Sequence, residues 1–559
     1  MKIKKKKEGM KKLILVPLLI MVMVFTAACG GGGSEGSSSV NSSGSSEAAE
    51  SEQTSASNVK YNYVSSSDLS DDSEDSDSDE ADSDDSGEGE QGGGPGGPGG
   101  GPGGPDTQSF DFSGSYSATV NADGKEVSKD SEELSSTEKD KNVALAQNGG
   151  TLTLTGATLK KSGSDNDGDG TNFYGVNSSL LAVGEKSTAY ISGSTIESTS
   201  DGSNGIFATD SAAVYASDVS ITTKDSDNSR GLDATYGGAI YADKLKIDTQ
   251  GEHCAALATD RGGGYISVTN SELKTAGSGS PLIYSTGDIE VDNVTGTASG
   301  SQIAGMEGKN RIIINNSTLE STNDATTGSD PIKNGVIIYQ STSGDADTAT
   351  DEKADFEAID STLKTSISDG AMFYVTNADA DILLQNTNLE FDSDKVDLLD
   401  AVGNSSNNWG TEGSNGGDVE LMCKEQILAG NIKVDNISSV DITLAQKSEY
   451  TGTITGDITE DNMDVSVSGD STWVVTKDCT VSSLSAEEGA KIVDKDGKTV
   501  TIKVGSETKV KGDSDITITV KDDYKTTIDD EAGETTEVDV LDRGDFDSKF
   551  ELTTTFGKN

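Results

Sequence analysis

A run of three aspartates is the stretch of this chain whose residue types and spacing most directly indicate metal chemistry. Asp165, Asp167 and Asp169 alternate with other residues and are followed by Gly170. Alternating carboxylates of this kind open calcium loops, in which the oxygens converge on a hard cation. The twelfth position from Asp165, where such loops carry a bidentate glutamate, is Val176. The sequence leaves two alternatives, a weak extracellular calcium site and a solvated acidic loop.

A set of tyrosines at fixed spacing is a candidate recognition surface. Tyr190, Tyr215 and Tyr241 each stand six residues before a recurring isoleucine. Their sequence neighbours are small or aliphatic, so the two-residue period of a strand turns those neighbours inward and the tyrosines outward. Outward rings offer apolar area and hydroxyl groups to a sugar; alternatively, they pack on each other and stiffen the sheet. Trp409, in the Gly/Asn-rich loop from 403 to 417, is a further candidate ligand contact.

Short strands in a repeat are the elements that would position these residues. A phrase such as Ser-Thr-Ile at 194–196 recurs from about Thr151 to Leu389, and successive anchors from Ile196 to Leu273 are 25, 26 and 26 residues apart. A fixed period in this range is typical of a solenoid. The repeats are rich in Thr, Ser, Val, Ile and Tyr, with Gly, Asn and Asp at the breaks, which favours strands and turns. The sequence therefore predicts an all-β parallel β-helix with rungs about 4.8 Å apart.

Two intervals between anchors are longer than one repeat. The extra residues include 165–170 in the first interval and 324–355 in the second. Insertions in a solenoid emerge as loops on one side. We therefore expect two loops to project from the β-helix.

The chain divides into four predicted regions. Residues 1–28 have the layout of a signal peptide, with lysines before an apolar run that is too short for a stable spanning helix. Residues 29–109 are dominated by Ser, Gly, Asp, Glu and Pro, which predicts a disordered acidic tether. We expect the β-helix from 110 to 505 and a charged C-terminal cap or tail from 506 to 559.

Cys29 ends the signal-like segment and precedes a Gly/Ser tract. With Ala27 and Ala28 before it, this cysteine resembles the lipidated residue of a bacterial lipobox, although Thr26 stands where leucine is usual. The alternative is an ordinary secretory signal. Both the lipobox and the ordinary secretory signal predict export. Lipidation at Cys29 also implies an anchor in the bacterial cell membrane, with the protein facing outside.

The charge and the cysteines narrow the class of protein further. A net charge of −55 and a pI near 4.1 exclude nucleic acid as the obvious partner and favour cations or neutral polymers. Cys254, Cys423 and Cys479 are an odd number, which excludes a disulfide-stapled scaffold and predicts buried thiols, with a Cys423–Cys479 pair left open.

Three rung phrases carry a family resemblance. The segments 204–209 (Asn-Gly-Ile-Phe-Ala-Thr), 230–235 (Arg-Gly-Leu-Asp-Ala-Thr) and 255–259 (Ala-Ala-Leu-Ala-Thr) resemble the pectin-lyase-like right-handed parallel β-helix of bacterial surface proteins, many of them adhesin-like or carbohydrate-binding. The resemblance covers about Thr151 to Thr480. It implies a single-stranded, right-handed β-helix, a fold that hosts lyases, hydrolases and non-enzymatic binders alike.

Enzymes of the family that this chain resembles use one of two arrangements. Lyases use a basic residue as the base beside carboxylate-bound calcium, and hydrolases use clustered aspartates as acid and base. Arg230 and Asp233 lie one rung before Asp260 and Arg261, so the four are expected to be neighbours. The alternative is an ordinary surface ion-pair cluster. The repeat region also holds Arg311 and the single histidine, His253, but no ordered hydrolase-like series of aspartates and histidine, and we therefore expect no catalytic residue.

The sequence thus predicts an exported, lipid-anchored β-helix that binds a polysaccharide or a host or cell-surface polymer. The membrane is contacted through the anchor only, nucleic acid is not a partner, and calcium is the one cofactor considered. Two alternatives remain open: a polysaccharide lyase or hydrolase of the pectin-lyase-like fold, and a purely structural surface rod.

Overall fold

Parallel strand pairing organises the chain. A computed structural model describes residues 59–69, 107–163, 168–224, 226–346, 353–406, 409–528 and 533–557. The predicted signal peptide, Cys29, Asp165 and Asp167 lie outside the described residues. Within them, strands of the repeat region pair in parallel with the strand one repeat later, as Ile206–Thr209 does with Leu232–Thr235. This stacking is a parallel β-helix, as the repeats predict.

One long sheet, which we call sheet 1, contains one strand from each of thirteen successive rungs. Its strands are Ala118–Asp123, Asn142–Gln147, Leu180–Val183, Ile206–Thr209, Leu232–Thr235, Leu257–Thr259, Ile283–Ser285, Ala304–Glu307, Asn334–Tyr339, Ala371–Thr376, Asp397–Ala401, Ile432–Val434 and Ile454–Gly456.

Two further sheets run beside it and share the long strands Thr188–Ser198 and Ala213–Thr223, whose first halves lie in sheet 2 and second halves in sheet 3. The other strands of sheet 2 are Glu126–Asp130, Thr151–Thr155, Gly238–Asp243, Gly264–Thr269, Asp288–Asp292, Arg311–Asn315, Ala354–Ile359, Ala378–Gln385, Gly417–Lys424, Ser439–Ala445, Met463–Val467, Ser483–Ala486 and Tyr524–Lys525. The other strands of sheet 3 are Glu133–Ser136, Thr158–Lys161, Lys246–Thr249, Glu272–Thr275, Thr295–Ala298, Thr318–Ser321, Thr362–Thr365 and Asn388–Glu390.

The core is the inner face of these sheets, where aliphatic side chains stack rung on rung. Ile196, Ile221 and Ile247, the anchors of the repeat, are paired in register and almost fully buried. Full burial of an aliphatic side chain of this size contributes about 1.5–3 kcal/mol. Repeated over the rungs, this column holds each rung to its neighbours.

Polar residues form the corner between sheets 2 and 3. Asn270, Asn293 and Asn316 occupy successive rungs with φ of 51°, 57° and 45°, a left-handed conformation that asparagine tolerates better than most residues. Asn293 Nδ2 donates to Asn270 Oδ1 at 2.6 Å. The asparagines that mark the breaks in the sequence are therefore the residues that turn the chain.

Short sheets complete the C-terminal end. One contains Ile427–Ala429, Glu449–Gly452, Thr472–Val475 and Lys491–Val493, and the other contains Cys479–Val481, Thr501–Val504, Glu507–Val510 and Thr517–Val520. Thr501–Val504 pairs antiparallel with Glu507–Val510. The three described cysteines, Cys254, Cys423 and Cys479, are buried free thiols.

Two remote segments meet on the outer face of sheet 2. Val59–Val64 pairs in parallel with Thr536–Leu541, followed respectively by the short helices Ser66–Leu69 and Gly544–Phe550; a third helix is Asp169–Asn172. We call residues 59–69 and 533–557 the strap. The prediction of a disordered tether does not hold for Val59–Val64. Within this otherwise low-complexity region, Val59 and Tyr61 are apolar and pack on Ile313 and Ile359.

The described part of the chain contains no helix whose length and hydropathy fit a membrane span.

Candidate functional site

The tyrosine ladder is the first of two aromatic stacks on the outside of the β-helix. Tyr190, Tyr215 and Tyr241 are in register, with ring centroids 5.2 Å and 5.4 Å apart and rings nearly parallel. The strap lies over them. The ring centroids of Phe546 and Tyr215 are 6.5 Å apart, and Lys549 Nζ lies 3.8 Å from the centre of the Tyr190 ring.

Of the two alternatives for this ladder, the contacts with the strap favour packing, although Tyr190 and Tyr215 stay partly exposed. Tyr241 is only 8% exposed and packs in one cluster with Leu541 and Phe546 of the strap. The two-residue period correctly turns the rings outward, but it carries no information about a remote segment that returns to cover them. The ladder is a packing surface of the folded chain.

The second aromatic stack lies in a groove of about 600 Å³ beside sheet 1. Trp409 stacks on Tyr339 with ring centroids 4.2 Å apart and an interplanar angle of 13°. We call this the aromatic groove, and its lining includes Arg230, Asp260, Tyr284, Glu307, Tyr339 and Trp409. His253 also lines it.

Both predicted loops contribute to the walls of the aromatic groove. Asn172 and Phe173 come from the first insertion, at the end of the helix Asp169–Asn172, and residues 327–330 and 341–345 come from the second. At the side of the groove, Tyr284 and Gly305 are register partners on adjacent strands. Because glycine has no side chain, this rung leaves room between Tyr284 and the next strand.

Buried charges occupy one end of the groove. Arg230 Nη2 lies 3.2 Å from Asp260 Oδ2, and Arg230 Nε lies 3.6 Å from Asp233 Oδ2. Asp233 is fully buried and Asp260 is 4% exposed, so the ordinary surface cluster considered as the alternative does not describe them. Burial raises the pKa of both carboxyls, that of Asp260 to about 7, against the opposing effect of the Arg230 guanidinium.

Arg261 belongs to the same neighbourhood but has different partners. Its backbone N–H donates to Asp260 Oδ1 at 3.0 Å, while its Nε donates to Asp345 Oδ1 at 2.8 Å. The guanidinium carbon lies 3.8 Å from the centre of the Phe173 ring, a cation–π contact. The four residues predicted to be neighbours are thus brought together, with Arg261 tying the two insertions to one rung. Arg311, by contrast, lies on sheet 2, where Nη2 donates to Asp539 O of the strap at 2.6 Å.

Glu307 is a further acidic residue in the lining of the groove. It accepts hydrogen bonds from the Tyr284 hydroxyl at 2.9 Å and the Ser343 hydroxyl at 3.2 Å, and also from Ser341. Burial raises its pKa, and the hydrogen bonds oppose that rise. Burial likewise raises the pKa of Tyr284 and Tyr339, with Glu307 adding to the effect.

No family model, curated protein or solved structure matches this chain. The parallel β-helix architecture therefore stands on the strand pairing itself.

The sequence reasoning singled out Trp409 and Arg230 but did not single out Tyr284, Glu307 or Tyr339. A usable signal was present for Tyr284, because aligning the rungs places this tyrosine beside Gly305, a large residue next to a gap in one column. Glu307 gave no such signal, since its surroundings come from an insertion that is outside the repeat.

A metal centre is not evident in the described ranges, which contain no group of three or more His, Cys, Asp or Glu side chains able to hold an ion. Asp169 opens the helix Asp169–Asn172 and is exposed, while Asp165 and Asp167 lie outside the described residues. Calcium binding at this loop stays a prediction. Trp409 itself is only 4% exposed and supports Tyr339 from behind, so the aromatic surface open to a ligand ring is that of the partly exposed Tyr339 and Tyr284. Glu307 and Asp260 can exchange hydrogen bonds with hydroxyl groups.

Proposed function

We propose that this protein is an exported, surface-attached binding protein that holds a polysaccharide chain in the aromatic groove. The observation that carries the proposal is the coincidence of a stacked Trp409–Tyr339 pair with buried carboxyls in one cavity of about 600 Å³. That volume lies within the range of about 300–1,000 Å³ usual for ligand pockets. Sugar rings have apolar faces that stack on aromatic rings and hydroxyls that pair with carboxyls.

Charge restricts the type of polysaccharide. The chain has a net charge of −55, and the groove lining contains Asp260, Glu307, Asp345 and Asp330 against Arg230. A bare polyanion is repelled by such a surface. The ligand we propose is a neutral polysaccharide, or an acidic one bridged by calcium.

The resemblance to the pectin-lyase-like β-helix supports this choice of site. The phrases at 204–209 and 230–235, which carry the resemblance, contain the sheet 1 strands Ile206–Thr209 and Leu232–Thr235. Arg230, the first residue of the second phrase, lines the groove.

A groove-filling variant tests the proposal without disturbing the core. A Cβ at Gly305 would meet its nearest neighbours, Gln302 and Ile337, at 3.5 Å, which is ordinary contact. Gly305→Leu should therefore fold and should lose retention on an array of plant and host glycans. Gly533→Leu, at a position with no atom within 4 Å of an added Cβ, is the control and should keep wild-type retention. Equal retention of glycan by wild type and Gly305→Leu would contradict the groove as the binding site.

A second candidate function, a polysaccharide lyase or hydrolase at the same groove, is favoured by the raised pKa of Asp260 and Glu307. A carboxyl that holds its proton near neutral pH is suited to general acid catalysis. Incubation with each retained glycan separates the two functions. Pure binding yields no new reducing ends or unsaturated products, whereas products that vanish in Asp260→Asn would establish the enzyme.

Surface attachment has its own test. With a lipid on Cys29, the wild-type protein should incorporate labelled fatty acid and fractionate with membranes, and Cys29→Ala should appear in the medium without label. A Cys29→Ala protein that stays with the membrane would show that the anchor lies elsewhere.

A further inference from the structure

A second groove, of about 650 Å³, lies on the outer face of sheet 2 and shares no lining residue with the aromatic groove. Its lining includes five carboxylates on five successive rungs, each the register partner of the next. We call them the acidic column: Asp355, Asp381, Glu420, Asp441 and Asp464. At about 4.8 Å per rung, the column is about 19 Å long.

The chain itself shows how a cation binds to this column. Lys353 Nζ lies 2.7 Å from Asp381 Oδ1 and 2.5 Å from Glu420 Oε1, so one ammonium group bridges two adjacent rungs. The next two rungs carry Asp441 and Asp464 and repeat the arrangement of carboxylates. Among the described residues, neither Asp441 nor Asp464 has a basic partner within ion-pair distance.

An orphaned atom is a second, independent sign of a missing ligand. Glu357 lines the same groove, one position along the outer face from the acidic column, and its Oε2 is buried without a hydrogen-bond partner. A buried carboxylate oxygen without a partner is costly for the folded state. A donor entering the groove would satisfy it. Burial and the neighbouring carboxylates raise the pKa of Glu357 to about 8, which fits a shortage of positive charge.

The arrangement of the carboxylates selects the class of ligand. Oxygens that hold a metal ion converge on one point, whereas these are distributed one per rung, and the described residues form no metal-holding group. The ligand must therefore carry its positive charges along its length. At the ends of two of these strands the chain already contacts the strap, since Lys424 Nζ and Gln446 Nε2 both donate to Glu534 O, at 3.1 Å and 3.0 Å.

We propose that the acidic column is a docking site for an extended, lysine-rich segment of a partner protein, whose ammonium groups bridge adjacent rungs as Lys353 does. One ammonium group pairs with Asp441 and Asp464, and a donor from the same segment reaches Glu357 Oε2. The proposal is independent of the aromatic groove.

A labelled peptide of repeated Lys-Gly-Gly units is the probe. In a polyproline II conformation, with three residues per turn and about 3.1 Å per residue, a lysine at every third position places ammonium groups on one face about 9 Å apart, close to two rungs. Fluorescence anisotropy with the full chain should show saturable binding. The double variant Asp441→Asn, Asp464→Asn should weaken it by about tenfold or more, because charge-assisted hydrogen bonds are lost. The matched control Glu252→Gln, Glu488→Gln removes the same charge at two exposed positions outside the groove and should change the Kd by less than about twofold.

A variant with the opposite effect completes the test. Lys353→Met frees Asp381 and Glu420, so it should tighten binding of the peptide. If the double variant fails to fold, Asp441→Asn alone replaces it, since Asp441 is exposed. Equal weakening by the control pair, absence of saturable binding, or unchanged affinity in Lys353→Met would each overturn the proposal. So would carboxylate-dependent binding of Ca²⁺ with no binding of the peptide.

Discussion

Two stacks of aromatic rings on the outside of the β-helix differ in what lies against them. The tyrosine ladder at Tyr190, Tyr215 and Tyr241 is built by the repeat and is covered by the strap. The Trp409–Tyr339 pair is built where the repeat is interrupted, and it faces a groove. A regular column of side chains is a good surface for another part of the chain to pack on, whereas an irregular site needs loops of its own. In this protein, the interruptions mark the candidate site.

The buried cation Arg543 holds the strap against the tyrosine ladder. Arg543 donates to Ser267 O at 2.8 Å and Ala242 O at 2.9 Å, and its guanidinium lies 4.7 Å from the centre of the Phe546 ring. It also donates to Thr554 Oγ1 at 3.0 Å within the strap. Among the described residues, no comparable segment covers the aromatic groove, whose walls Arg261 ties to one rung through Asp345 and Phe173.

Removal of that cation should produce the largest effect. Arg543→Met leaves several buried acceptors without donors and should destabilise the strap by about 3 kcal/mol. Hydrogen exchange should then increase in Thr536–Leu541 and in the ladder strands, while the strands at the aromatic groove keep their protection. Uniform exchange across both regions would mean that the strap is not a separate unit. Lys549→Met, which removes only the contact with Tyr190, is the control and should have little effect.

Acid should stabilise the protein, with both regions contributing. Burial raises the pKa of Asp260 in the groove and of Glu290 beneath the strap, each to about 7. A raised carboxyl pKa means that the folded state binds more protons than the unfolded state between about pH 4 and pH 7, so stability falls as pH rises through that range. For Asp260 alone, a pKa raised from 3.8 to about 7 corresponds to a loss of about 4 kcal/mol.

Urea denaturation at several pH values measures this trend and divides it between the two regions. Asp260→Asn should flatten the pH dependence, and Glu290→Gln should flatten it separately. A stability that rises from pH 5 to pH 8 in the wild type would contradict the proposed protonation of both groups.

Calcium should have the smallest effect. If Asp165, Asp167 and Asp169 bind the ion, the thermal midpoint should rise by the amount given by RT ln(1 + [L]/Kd), a modest shift for a weak site. The first insertion also supplies Phe173 to the groove wall, so the effect is expected there and not at the ladder. A shift that survives replacement of all three aspartates by asparagine would place the ion elsewhere.

The parallel β-helix could be predicted because the residues that build it, the aliphatic anchors and the asparagines at the corners, recur at one period. Stacking of Tyr190, Tyr215 and Tyr241 followed from the same period. The strap could not be predicted, because the pairing of Val59–Val64 with Thr536–Leu541 joins segments more than 470 positions apart. Glu307 was missed for a related reason, since Ser341 and Ser343, which bind it, belong to an insertion with no counterpart in other rungs.

The central claim is that recognition belongs to the groove and not to the ladder. Affinity electrophoresis or calorimetry with a retained glycan tests it most directly through two single variants, Trp409→Ala and Tyr215→Ala. We expect Trp409→Ala to weaken binding by about tenfold or more, since Tyr339 loses the ring on which it is stacked in the groove wall. Tyr215→Ala should lower stability by about 1 kcal/mol and leave the affinity unchanged. Loss of binding in Tyr215→Ala with wild-type affinity in Trp409→Ala would contradict this assignment.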